Sequence, residues 1–157
     1  MSDRTAAQEK NRRKAEEKKQ ALRRRIAEML PIPEAGCLDI LLSLKTRLLA
    51  ARVAASPLGR EDADMIRRLI ADMVTVTASL DHLAVLFEKT DEIRALAHDA
   101  TEALTNAAAC WKAGRKIGNE DLDVLDAAAD LLYDVLKETK VSEYKAVLTI
   151  VGRELAR

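Results

Sequence analysis

The chain has 157 residues, 26 basic and 26 acidic, for a formal net charge of zero. Apolar residues make up 48% and aromatics 3%, and the 5 glycines and 3 prolines are too few for collagen-like or low-complexity classes. No uninterrupted run of about 18 apolar residues exists, so no membrane partner is expected. The charged N-terminus does not read as a secretory signal. Two cysteines, Cys37 and Cys110, build no disulfide framework, and the cytoplasm is the expected compartment.

The neutral total hides an asymmetry. Residues 1–30 hold ten basic and five acidic side chains, whereas residues 31–157 hold sixteen and twenty-one. The chain therefore reads as a basic arm, residues 1–30, on an acidic helical domain, residues 31–157. Such a division favours a polyanionic partner, or docking of the arm on the acidic body itself.

Helix formers dominate, with Ala 27 times and Leu 22 times. The first helix is expected from Ser2 to about Leu30. Its first twenty residues have little to bury, and Leu22, Ile26, Met29 and Leu30 form an apolar stripe that should dock on the body. Pro31-Ile32-Pro33 ends it. The second helix should run from about Glu34 to Ala55 with a core stripe of Leu38, Leu41, Leu42, Leu48, Leu49 and Val53. Ser56-Pro57-Leu58-Gly59 reads as a turn.

The third helix, about Arg60 to Glu88, opens with acids that suit the positive helix end. Its stripe is Ile66, Leu69, Ile70, Met73, Val76, Leu80, Leu83 and Phe87. Thr90 is placed as the cap of a fourth helix reaching about Ile117 and stopping at Gly118. That helix buries Ile93, Leu96, Ala100, Leu104, Ala107 and Trp111, small enough in part for close approach of another backbone. Asn119 should cap a fifth helix carrying Leu122, Leu125, Ala129, Leu132 and Leu136. Tyr144, Val147, Val151 and Leu155 mark either a sixth helix, capped by Ser142, or a bent continuation weak at Thr139 to Val141. Short connections make neighbours antiparallel. The expected fold is all-α: an up-down helical bundle of five or six helices with a basic, partly free N-terminal helix.

Catalytic patterns are weak. Ser79, Asp81 and His82 are close in sequence, but Asp81 points about 100° away from His82 on a helix, and no oxyanion hole is offered. Arg94, His98 and Glu102 step by four along one helix side, as any charged face does. Neither histidine follows a glutamate at three residues, and no cysteine pair, HExxH, calcium loop or glycine-rich phosphate loop is present, so no metal and no cofactor are expected. Cys37 lies near a helix N-terminus, where a thiol can be activated, though a small buried hydrophobe is the plainer reading.

Two charge patterns are sharper. Lys10, Lys14 and Lys18 align at helical spacing, followed by Lys19 and Arg23-Arg24-Arg25. Asp123, Asp126, Asp130, Asp134 and Glu138 share one side of the fifth helix, within about 120° of one another. Each is either a solvated face or a docking strip. Trp111, beside Lys112, Arg115 and Lys116, is a candidate interface anchor should it be exposed. The expected function is that of a non-enzymatic interaction protein, an adaptor or regulator using helix packing and complementary charge, with self-association or a protein partner. The alternative is a nucleic-acid-binding accessory protein using residues 1–30. No aromatic in the arm stacks on bases, five acids dilute it, and no helix-turn-helix or zinc-finger pattern accompanies it.

Overall fold

A computed structural model describes residues 3–157. The helices are α1 (Asp3–Met29), α2 (Glu34–Val53), α3 (Arg60–Leu83), α4 (Thr90–Lys112), α5 (Asn119–Lys137) and α6 (Val141–Leu155), with a 3-10 turn at Ala84–Leu86. The expected start of the arm at Ser2 lies outside the described residues. The fold is an all-α helical bundle of six helices. Helices α2 to α5 form a ring in which α3 packs on α2 and α4, and α5 packs on α4 and closes against α2. Helix α6 lies on α3, and α1 meets α6.

The core follows helical periodicity where a helix has one apolar side. In α3, Ile66, Leu69, Met73, Leu80 and Leu83 are fully buried. By length and composition alone Arg60–Leu86 could cross a membrane, yet those side chains are spent on the core. In α5 all five expected positions are buried. In α4 the buried set is Ile93, Ala97, Ala100, Ala103, Leu104 and Ala107. Four alanines there keep side chains short, so α3 and α5 can both approach α4 closely.

Helix α2 keeps Leu48, and Leu41 half-buried, of its expected stripe and turns the other four outward. Its buried residues are Cys37, Leu44, Leu48 and Ala51, while Leu38, Leu42, Leu49 and Val53 are exposed. The helix is apolar on nearly every side, so periodicity alone does not choose a face. Charge decides it. Lys45 lies within about 60° of Leu38, Leu42 and Leu49 around the helix. Turning that side inward would bury its ammonium; turned outward, Lys45 reaches Asp126 and Asp130 of α5.

The arm stripe is also corrected. Leu22, Ile26, Met29 and Leu30 are all more than half exposed and do not dock on the body. Only the base of the arm is held. The Val141 amide donates to the Leu30 carbonyl at 3.1 Å, and the Ile32 amide to the Thr139 carbonyl at 3.0 Å. Pro31 and Lys140 thereby form an isolated antiparallel bridge. Thr139 is buried, with its hydroxyl donating to Val135 at 2.7 Å, and Lys140 turns to extended backbone, φ −74° and ψ 149°, so α6 is a separate helix.

Several helix ends differ from expectation. Helix α4 stops at Lys112, five residues before Ile117. Gly114 takes a left-handed φ of 70°, Gly114 N–H donates to Trp111 at 3.0 Å and Arg115 N–H donates to Cys110 at 2.9 Å. That is a Schellman stop. Ile117 is buried from the loop instead. Thr90 is the first residue of α4 rather than its cap, and its hydroxyl lies 2.7 and 2.6 Å from the Ala84 and Phe87 carbonyls, sharing its one proton between them and tying the 3-10 turn to the helix. Gly118 rather than Asn119 precedes α5. Lys140 rather than Ser142 precedes α6, where its amide donates to Glu143 Oε1 at 3.0 Å.

Candidate functional site

The basic residues named from sequence stand free. Lys10, Lys14, Lys18, Lys19, Arg23, Arg24 and Arg25 are all exposed on α1. Among the described residues the one ion pair made by the arm is Glu28 with Lys145, at 3.1 Å. Helix α1 therefore projects from its pinned base as a rod of about 40 Å, polar for most of its length and apolar near the hinge.

The acidic strip is divided. A spacing of four residues turns about 40° per step, so the strip winds around α5 from the α2 side towards α4. Lys45 of α2 contacts Asp126 and Asp130, and Arg52 of α2 contacts Asp123 at 2.6 Å and Asp126 at 3.3 Å. Burial opposes the charge on Lys45, but the hydrogen bonds from Lys45 to Asp126 and Asp130 outweigh it and raise its pKa. The hydrogen bond to Asp123, against slight desolvation, raises that of Arg52. These three acids are structural partners of α2. Among the described residues Asp134 is paired only with Lys137, at 3.6 Å, and it lines, with Glu138, Glu88, Glu92 and Lys89, an apolar hollow that includes Phe87, Ile93, Leu131 and Val135. The free negative charge of the strip thus lies at its C-terminal end. Sequence spacing placed the acids on one side but could not show that α2 supplies their counter-ions.

Trp111 is half-buried, and its indole N–H donates to the Ala63 carbonyl of α3 at 3.0 Å. It braces α4 against α3, so the exposure an interface anchor requires is missing. The Cys37 thiol is buried, and burial pushes its pKa up; the helix terminus does not activate it.

The weak catalytic patterns gain nothing. Ser79 is buried, while Asp81 is exposed and His82 faces Glu154 of α6 at 3.1 Å. Ser79 Oγ is a buried hydroxyl without a protein partner, beside a cleft shared with Ser43, Thr75 and Tyr144. Arg94 and His98 border a shallow groove between α3 and α4, and Arg94 lies 3.9 Å from Asp81. Glu102 is not part of that groove. His98, Asp99 and Glu102 could bring three ligand atoms together, all exposed.

The feature that sequence reading missed is the outer side of α2. Leu38, Leu42, Leu49 and Val53 are 41%, 53%, 63% and 76% exposed. Together they make an aligned apolar stripe of the kind that marks an interaction surface. Its signal was present in sequence, as leucines on more sides of α2 than one core contact can use.

Compared with known proteins, the chain matches no family model, no curated protein and no solved structure.

Proposed function

We propose that the chain is a non-enzymatic interaction protein, an adaptor or regulator that docks through helix packing and complementary charge. The observation that carries this reading is the arm. Its seven named basic side chains and its apolar residues Leu22, Ile26 and Met29 are all exposed, on a helix held to the body only near its end. A long helix of this kind does little for the body's core, and ordering it is worth its entropic cost only against a partner. The outer stripe of α2 supports the same reading.

Removal of residues 1–29 tests it. The shortened chain should keep its thermal transition, measured by circular dichroism, and should lose arm-dependent association with an acidic protein or polyanion. An unchanged association profile after the deletion would refute the arm's role.

One observation favours a second reading, a nucleic-acid-binding accessory protein: none of the seven bases is in an ion pair among the described residues. Fluorescence anisotropy with a labelled oligonucleotide would then show binding at about 50 mM salt that fades steeply by about 200 mM, with little sequence preference. No binding at low salt removes that reading.

A further inference from the structure

Two surfaces of the chain match each other in shape and charge. The first is one side of the arm. Arg24, Ala27 and Glu28 of α1 line a crevice with Val141 and Lys145 of α6, and Glu28 pairs with Lys145. At about 100° per residue, Leu22, Ile26 and Met29 form an arc of about 60° whose centre lies about 170° from that contact. They point away from the chain's own body and are more than half exposed. Lys18 and Arg25 run along one edge of this arc, and Lys19 and Arg23 along the other. Residues 18–29 therefore present an apolar stripe between two basic edges, about 17 Å long.

The second surface is the hollow between α4, α5 and the 3-10 turn, about 690 Å³ in volume. Phe87, Ile93, Leu131 and Val135 make it apolar. Glu88, Glu92, Asp134 and Glu138 are exposed around it, with Lys89 the one base. Among the described residues the single ion pair of these four acids is Asp134 with Lys137. From Leu131 to Glu138 the hollow follows α5 for about 11 Å, or two helical turns.

We propose that this hollow receives residues 18–29 of the arm of a second copy, as an amphipathic helix laid in a groove. Leu22, Ile26 and Met29 cover the apolar residues, and the four flanking bases meet the four acids. Charge complementarity with apolar matching names the occupant: a second copy supplies both halves of the contact. A nucleic acid would take the bases and leave the apolar stripe uncovered. The chain's own arm is not the occupant, because no residue of α1 or α6 lines the hollow. The Leu30–Val141 and Ile32–Thr139 hydrogen bonds hold its base at the start of α6 with the stripe turned outward. This partner for the arm rests on the docking function above.

The test uses the full chain. One helix in a groove is a small interface, so sedimentation should show self-association at micromolar concentration and above at about 50 mM salt, weakened at least about tenfold at about 500 mM. Arg23→Glu/Arg25→Glu and Glu92→Lys/Asp134→Lys alter only exposed side chains. Each should sediment at 17.3 kDa at about 200 μM with an unchanged circular dichroism spectrum. Mixed in equal amounts, the two variants should associate again, because the reversed arm meets the reversed hollow and the unaltered arm the unaltered hollow. Should the hollow variant unfold, Glu92→Gln/Asp134→Asn serves instead, with association weakened at least about fivefold. The site is read by disulfide trapping in a Cys110→Ser background. Leu86 lines the hollow and is exposed, so chains with Ile26→Cys mixed with chains with Leu86→Cys should join on oxidation with diamide, in preference to like with like.

A wild-type chain that stays at 17.3 kDa at about 200 μM and about 50 mM salt overturns the proposal, as does association that survives both variants. Linkage of Ile26→Cys to Leu86→Cys within a single chain carrying both overturns it in favour of the chain's own arm. Association lost in the arm variant but kept in the hollow variant moves the arm to another surface, which defeats this inference and leaves the docking function standing. The docking function fails separately, when neither self-association nor polyanion binding responds to Arg23→Glu/Arg25→Glu.

Discussion

Leu48 and Leu49 are adjacent in sequence and differ more than any other neighbouring leucines of α2: Leu48 is 1% exposed and Leu49 is 63% exposed. Consecutive helical residues point about 100° apart, so one faces α5 while the other faces away from the bundle. Truncation should separate them. Leu48→Ala removes a packed side chain and should cost about 2–5 kcal/mol. Leu49→Ala should stay within about 0.5 kcal/mol for the monomer. Urea denaturation at low protein concentration reads both. Equal losses would mean that α2 faces the core as its leucine count alone suggests.

The end of α4 depends on the left-handed Gly114. An added Cβ meets nothing within 4 Å there, so the cost of Gly114→Ala is backbone strain and not collision. It should be about 1–2 kcal/mol. Gly118→Ala, where φ is −64° and the nearest atom to the new Cβ is Asp121 Oδ2 at 4.0 Å, should cost only a few tenths of that scale. Thermal melts of the two variants give the comparison.

Buried acids with raised pKa make stability fall in alkali. Burial pushes the Cys37 thiol above its ordinary 9.0 and the Tyr144 phenol above its ordinary 10.0. Each group holds its proton to higher pH when folded than when unfolded. Their contribution is complete below about pH 9 and is lost as pH rises beyond it. The melting temperature should therefore drop above pH 9, and Tyr144→Phe should blunt the drop above pH 10. A transition that rises with pH in this range contradicts the assignment. The same burial should leave Cys37 unreactive to a thiol reagent at pH 8 until urea is added.

The two ends of the α5 strip should respond differently. Asp126 contacts both Lys45 and Arg52 and is partly shielded, with 30% of its side chain exposed. Asp126→Asn should cost up to about 1 kcal/mol, with the loss reduced in high salt. Asp134 is 68% exposed, and Asp134→Asn should leave stability unchanged. A differential melt at about 50 and 500 mM salt decides it.

Helices α3 and α5 were legible because each has one apolar side and one charged side. The stripe of α2 was not, since apolar residues surround that helix and the choice of face was made by Lys45 and Arg52 reaching acids more than seventy residues away. Spacing along α5 put Asp123 to Glu138 on one side, but their partition between structural and free charge depends on the register of α2 against α5. Gly114 signalled the end of α4, and the apolar Ile117 beyond it masked the signal by reading as another helical turn.

The central claim is that this chain acts by docking through its free basic arm, α1. Light scattering of the full chain on a sizing column, with absorbance at 260 and 280 nm, tests it most directly at about 50 and 500 mM salt and about 200 μM protein. The expected result is a gain of polyanion at low salt that is lost at high salt and absent once residues 1–29 are removed. No polyanion retained at low salt, or retention unchanged by that removal, would contradict it.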